Sequence, residues 1–269
     1  MKTLHNHIIL YDAECPMCNL YTRAFVNTGM LDGTGRTAYQ EAPEMLCPLI
    51  DRKRAVNEIA LVNTQTGEVE YGIASLFKVI GNSFPVFKGL FNFKPFVWIA
   101  AKCYAFISYN RRVIVPGNQY NYGIQPTFKL RWRLTYLLFT WMVVGAILTQ
   151  YAGLLVPMIT AGNSWREYLI CGGQILFQGL IVSLYAADKR WDYLGNMMTI
   201  SFAGALLLLP VVILAQFIII PALIGTLYFM LIAGLMFLEH IHRTKLLKLG
   251  WLLTATWMLY RLAVLMIII

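Results

Sequence analysis

The chain has 269 residues, of which 58% are hydrophobic and 13% charged, with a formal net charge of +9. The charged share is roughly half that of a soluble domain, which excludes an ordinary soluble protein. The positive charge is not a nucleic-acid footprint, because the Lys and Arg residues of the second half cluster beside apolar spans, as membrane topology requires.

The composition changes along the chain. Residues 1–125 read as a mixed soluble domain with an aromatic tail, and from Leu134 onward the sequence is mostly apolar. Residues 1–12 lack a basic n-region, a long apolar core and a small-residue cleavage site, so no signal peptide is expected. His7 to Leu10 predicts a first strand buried on both faces. Met17 to Thr28 predicts a helix ended near Gly29, and Arg36 to Gln40 a short strand. Pro43 to Val56 reads as a loop with a short helix, interrupted at Pro48. Ile59 to Val62 is a second strong strand. Thr64-Gln65-Thr66-Gly67 supplies turn chemistry for a hairpin whose return strand is Glu68 to Tyr71. Gly72 to Ile80 predicts a helix. Strand–helix–strand followed by strand–strand–helix is the order of a small α/β, thioredoxin-like domain.

Phe84 to Ile107 is crowded with aromatic residues yet carries Lys88, Lys94 and Lys102, which break it into pieces too short to span a bilayer. Pro95 is expected to start a helix there. Two readings are open: a helix closing the domain, or one lying on the membrane interface with snorkelling lysines. The expected division is a domain over residues 1–116, a connector over 117–133 and an all-α membrane bundle over 134–269.

In that bundle, Leu134 to Met158 and Tyr168 to Ala187 are uncharged spans. Tyr193 to Leu238 is about twice the length one span needs and must turn back near Gln216 to Pro221. Trp251 to Ile269 is a final apolar segment containing Arg261. This predicts five spans, or four if the last segment does not cross. The basic clusters Lys129/Arg131/Arg133, Lys189/Arg190 and Arg243/Lys245/Lys248 fall on one side, which the positive-inside bias makes cytoplasmic. The expectation is an integral protein of a bacterial cytoplasmic membrane with its N-terminal domain on the cytoplasmic side.

The chemistry-bearing motif is Tyr11-Asp12-Ala13-Glu14-Cys15-Pro16-Met17-Cys18. Two thiols three apart at a strand-to-helix junction bring the first Cys to a helix N-terminus, where backbone N–H groups and the helix dipole stabilise a thiolate. Cys18, on the same helical face, is placed to resolve a mixed disulfide. Pro16 fits the first helical turn. Asp12 is read either as a proton carrier to Cys18 or as a turn former bonding local N–H groups. Glu14 is expected to raise the Cys15 pKa. With five cysteines, no second C-x-x-C and a cytoplasmic setting, a structural disulfide or closed zinc site is disfavoured. A mixed site with His5, His7 or Cys47 stays open, although ordinary strand-edge positions explain the two histidines.

Tyr11 to Asn19 resembles the signature of the DCC thiol-disulfide oxidoreductase family. The resemblance continues through Tyr39-Gln40-Glu41-Ala42, Glu58 to Leu76, and Tyr109-Asn110-Arg111-Arg112. It spans about residues 7–115 and none of the membrane half. It implies a thioredoxin-like fold and thiol-disulfide exchange at Cys15 and Cys18, and it names no substrate. Thioredoxins place a cis-proline before the third strand; here Asn57-Glu58 precedes Ile59.

Outside the motif, Cys47 reads as an inert loop thiol, with disulfide resolution as its alternative, and Cys103 and Cys171 as packing residues. Glu239, His240 and His242 read as a membrane-boundary cluster with Arg243. Arg261, near mid-span, must face the bundle interior or a polar cavity. Gln150, Gln174, Gln178 and Gln216 are candidate partners, and a lipid anion or quinone is a candidate ligand. The functional expectation is a membrane-anchored thiol-disulfide oxidoreductase with Cys15, Cys18 and Asp12 as catalytic residues and no cofactor or bound metal. Its partners would be a protein or small-molecule thiol or disulfide, the lipid bilayer and a membrane redox partner. The alternatives are a soft-metal-binding or metal-transfer membrane protein and a redox-sensing membrane scaffold.

Overall fold

The computed structural model describes residues 2–42, 50–117, 125–156 and 158–269. The expected loop at 43–49, with Cys47 and Pro48, and most of the polar connector lie outside the described residues. Two compact units divide the chain, Met1–Trp132 and Arg133–Ile269.

The first unit is mixed α/β. Its elements are β1 (His7–Tyr11), α1 (Pro16–Asn27), β2 (Arg36–Ala38), α2 (Arg52–Ala55), β3 (Ala60–Asn63), β4 (Val69–Tyr71), α3 (Ile73–Ser83), α4 (Lys88–Asn92) and α5 (Lys94–Ile114). A 3₁₀ turn, Tyr39–Glu41, shortens the expected second strand at Ala38. The four strands form one sheet in the order β2-β1-β3-β4. β1 runs parallel to β2 and antiparallel to β3, with Ile8 opposite Val62, and β4 returns antiparallel to β3.

Alternation of side chains along a strand splits the apolar residues between the two faces of the sheet. Ile9 and Leu61 pack with Ile59, Leu31 and Val79, under α1, α3 and the Tyr104 ring of α5. Leu10, Ala60 and Val62 pack on the other face with Ala55 of α2. Full burial of a side chain such as Ile9 or Leu61 contributes about 1.5–3 kcal/mol. The hairpin turn is held by Asn63, whose Oδ1 accepts from the N–H groups of Gln65 (2.9 Å) and Thr66 (3.1 Å). Gly72 then joins β4 to α3 at φ 64° and ψ −131°, a region that side chains with a Cβ rarely enter. A Cβ there would also stand 2.8 Å from Glu58 Oε2.

The aromatic segment divides its duties. Phe77, Phe91 and Phe96 stack on one another, with the Phe77 and Phe91 centroids 4.1 Å apart. The C-terminal half of α5 is anchored by buried Ser108, Asn110, Arg111 and Val113. Trp98 and Ile99 of its N-terminal half, and Phe93 just before it, are exposed.

The second unit is helical. Its elements are α6 (Leu130–Leu154, whose first turn belongs to the first unit), α7 (Arg166–Tyr185), α8 (Arg190–Leu214), α9 (Ala222–Leu246) and α10 (Leu252–Ile268). The first four are long and apolar enough to cross a membrane, and α10 is a shorter apolar helix of 17 residues. The long uncharged run turns back over residues 215–221, with Pro221 capping α9. α8 packs against α7 and α9, and α10 packs against the same two helices. α6 and α7 meet closely at Gly145, where a Cβ would fall 2.4 Å from the Tyr168 ring. Small residues at such crossings let helix backbones approach. The outward surface is apolar, with Leu176, Leu184, Ile219 and Met266 almost fully exposed. Such a surface needs a non-aqueous surround, and this supports an integral membrane location.

Replacing Gly72 by Ala is expected to destabilise the first unit by about 1–3 kcal/mol. The measurement is the thermal midpoint of its unfolding in the detergent-solubilised full chain. Gly89→Ala is the control, since a Cβ at Gly89 meets nothing within 4 Å. Equal midpoints for the two variants would show that the left-handed junction imposes no constraint.

Candidate functional site

The carboxyl end of β1 delivers Asp12 and the following turn delivers Cys15 to the first turn of α1. Cys15 is the N-cap: its backbone is extended (φ −101°, ψ 106°), and its Sγ accepts the Cys18 backbone N–H at 3.3 Å. Pro16 occupies the first helical position, where its missing N–H costs nothing. The two thiols hydrogen-bond each other, with Cys18 the donor. Both cysteines are unbridged and buried, Cys15 at 1% and Cys18 at 4% exposure.

Asp12, also buried, is fully engaged. Its Oδ1 accepts the Glu14 backbone N–H (3.1 Å) and the Gln40 side-chain amide (2.9 Å). Its Oδ2 accepts Nη2 of Arg111 at 2.7 Å and lies 3.6 Å from Nη2 of Arg112. The turn-forming bond expected of Asp12 is therefore present, and beside it stands an ion pair that the motif does not announce. Arg111 is buried in the last turn of α5. Its terminal nitrogens also donate to the carbonyls of Val56 (2.9 Å) and Asn57 (3.1 Å) and to Ser108 Oγ (3.3 Å), while its Nε is buried without a partner. Ser108 itself donates to the Asn57 carbonyl. The backbone just before β3 is thus held by Arg111 and Ser108.

Glu14 departs from its expectation. Its carboxylate is turned to Arg112 (3.4 Å) and to the Gln125 amide (3.0 Å), and Arg112 also donates to Gln125. A carboxylate so paired exerts little net field on its neighbour, and the Cys15 thiol is lowered rather than raised. The Cys18 hydrogen bond, the Arg111 charge and the Cys18 backbone N–H outweigh burial and Asp12, and hold Cys15 at about 7. Cys18 goes the opposite way: its hydrogen bond to Cys15 and its burial push it well above the ordinary thiol range. Tyr21, which hydrogen-bonds Cys18, is raised by burial. Burial opposes the Arg111 charge, yet Cys18 and Asp12 overcome it and the guanidinium stays protonated.

The other sequence candidates fall elsewhere. His5 pairs with Asp32 at 2.7 Å, and the His7 ring bonds the His5 carbonyl at 2.7 Å. Among the described residues, no group of three or more His, Cys, Asp or Glu side chains gathers as for a metal ion. Cys103 is exposed and Cys171 buried. Glu239 pairs with Arg243 at 2.7 Å, as a boundary pair should. His240, however, is a core residue, bonded to Thr254 (3.0 Å) and Tyr193 (3.2 Å) and stacked on Trp257. Sequence reasoning missed Arg111 and Tyr21 as neighbours of the thiols and Gln40 as a partner of Asp12. The one available signal was the Asn110-Arg111 segment, quoted for its resemblance and not for a charge buried beside Asp12.

Comparison of the chain with protein-family models, with curated proteins and with solved structures finds no match in any of the three.

Alkylation of Cys15, followed by mass spectrometry in the full chain, is expected to titrate with a midpoint near the lowered value of about 7. Below that midpoint the rate should fall about tenfold per pH unit as the thiolate is protonated. Exposed Cys103 should react faster than buried Cys15 at high pH. In Arg111→Gln the midpoint should move upward, because a cation that favours the thiolate is gone. An unmoved midpoint would remove Arg111 from the electrostatics of the site.

Proposed function

We propose that the chain is a membrane-anchored thiol-disulfide oxidoreductase of the DCC, thioredoxin-like type, acting at the cytoplasmic face of a bacterial membrane. The observation that carries this reading is the opposed pair of thiols. Cys15 is held acidic at a helix N-terminus, and Cys18 is kept protonated beside it. The parallel β1–β2 pair joined by α1, followed by the β3–β4 hairpin, supports the thioredoxin-like assignment.

In the reducing direction, the Cys15 thiolate attacks one sulfur of a partner disulfide. A Cys15–partner disulfide forms, and the other partner sulfur leaves as a thiolate. Cys15 no longer bears a charge at that point, so the interaction that held the Cys18 proton is lost. Cys18 gives its proton to the departing thiolate or to water and attacks Cys15 Sγ. The second partner thiolate is released and the Cys15–Cys18 disulfide closes; two electrons have passed from the dithiol to the partner. Asp12 serves this cycle by holding Arg111 beside the thiols, and its four hydrogen-bonding and charged neighbours leave it no part as a free base.

Two features bear on the partner. The burial of Cys15 requires a local opening before any disulfide reaches Sγ. The Val56 and Asn57 carbonyls, where thioredoxins present a cis-proline, are occupied by Arg111. This favours a small thiol or disulfide, or a mobile cysteine segment, over a peptide gripped by its backbone at that edge.

The test is equilibration of the purified full chain with glutathione redox buffers, beside insulin reduction and an assay for bound metal. A potential of about −270 to −200 mV is expected from a nucleophile of this acidity. Cys15→Ser should abolish exchange, and Cys18→Ser should accumulate a glutathione adduct on Cys15. Stoichiometric metal without exchange would establish the soft-metal reading, and neither activity would leave the scaffold.

A further inference from the structure

The membrane-length unit carries a half-buried cation that forms no ion pair among the described residues. Arg261 of α10 stands with its guanidinium 5.0 Å from the Trp257 ring centroid, and its Nε is buried with no hydrogen-bond partner. The carboxylate that acts on it, Glu167, is bonded to Arg166 at 2.8 Å. The four glutamines expected from the sequence do not answer it. Gln178 bonds Tyr193 and Thr256, Gln174 donates to the Trp257 carbonyl, and Gln216 turns to its own helix at Val212. Gln150 is exposed.

A cavity of about 10 Å³ lies against this guanidinium. Its polar wall is Arg261, Ser201, Gln174 and the Cys171 thiol, and its apolar wall is Val144 with Met197 and Met198. The helices α6, α7, α8 and α10 each contribute. That room holds a single small body; a quinone ring or a phosphate headgroup does not fit. A neutral water would leave the charge uncompensated in a low-dielectric interior, where an unpaired ion is strongly unfavourable. The Arg261 N–H, the Ser201 hydroxyl and the Cys171 S–H all donate, and no carboxylate lines the space.

We propose that this cavity is a halide site, in which a chloride ion is held by the Arg261 guanidinium and the Ser201 hydroxyl and neutralises the half-buried charge of α10. The ion ties α10 to α8 from within the bundle. The site is independent of the dithiol.

The experiment uses the full chain in detergent, purified in gluconate, with chloride or bromide added at constant ionic strength. The thermal midpoint of the membrane unit should rise with halide and follow the linkage of a single site. Ser201→Ala should raise the halide concentration needed by about tenfold. Arg261→Gln should abolish the dependence. Since Arg261→Gln can fail on folding alone, crystals of the unaltered chain grown in bromide supply an independent reading. An anomalous peak within hydrogen-bond reach of Arg261 Nε supports the site. A midpoint indifferent to halide, a dependence unchanged in Ser201→Ala, or a cavity holding water without bromide would each overturn it. So would a co-purifying anionic lipid whose retention depends on Arg261 and which halide does not displace.

Discussion

The pairing of Asp12 with Arg111 underlies the first unit. Each is buried, and removing two charges from water is costly unless the pair is close and the remaining hydrogen-bonding capacity is filled. Here it is filled but for the Arg111 Nε. The carboxylate takes bonds from Glu14, Gln40 and Arg111, and the guanidinium reaches Val56, Asn57 and Ser108 as well as Asp12. One pair therefore ties the end of β1, the connector before β3 and the end of α5 to a single point. It also leaves a protonated guanidinium beside the thiols, so the same contact that fixes the backbone biases Cys15 toward its thiolate. Breaking either partner would cost roughly 3–5 kcal/mol as well as the acidity of the nucleophile.

The helical unit faces a related problem in a drier medium. Its interior is not uniformly apolar. Gln178, Tyr193, His240, Thr244 and Thr254 form a connected set of hydrogen bonds. Polar groups that bond each other within a bundle avoid the loss that an isolated one would incur in hydrocarbon. Arg261 lies one aromatic ring away from His240, through Trp257, and its Nε and the Trp257 Nε1 are buried groups that protein atoms alone do not satisfy. That contrast, rather than the arginine's mere presence in a span, makes its surroundings informative.

Much of the fold was legible in the sequence because local signals and tertiary demands agree there. The continuous apolar runs Ile8 to Leu10 and Ile59 to Val62, the Thr-Gln-Thr-Gly turn and Gly72 each dictate a local geometry that the sheet then uses. The reversal at 215–221 followed from length alone, since 46 uncharged residues exceed what one bilayer crossing needs. The site was legible only as far as the thiols and Asp12. Arg111 lies 99 positions from Asp12, and no periodicity or spacing links residues that only a helix docking onto a sheet brings together. For the same reason Glu14 misled: its neighbour in sequence is Cys15, but its electrostatic partner is Arg112. His240 misled because its place at a span end suggests a boundary, whereas helix packing turns it inward.

That separation gives the dithiol a history. A chain emerging from the ribosome presents Cys15 and Cys18 about a hundred residues before Arg111 has been made. Until α5 docks, the thiols lack the cation and the buried surround, and only the hydrogen bonds that Cys15 takes from Cys18 set them apart. The unusual thiol is thus a late property, acquired when the first unit closes. A nascent or truncated chain would carry the complete C-x-x-C and still lack the Arg111 share of its acidity.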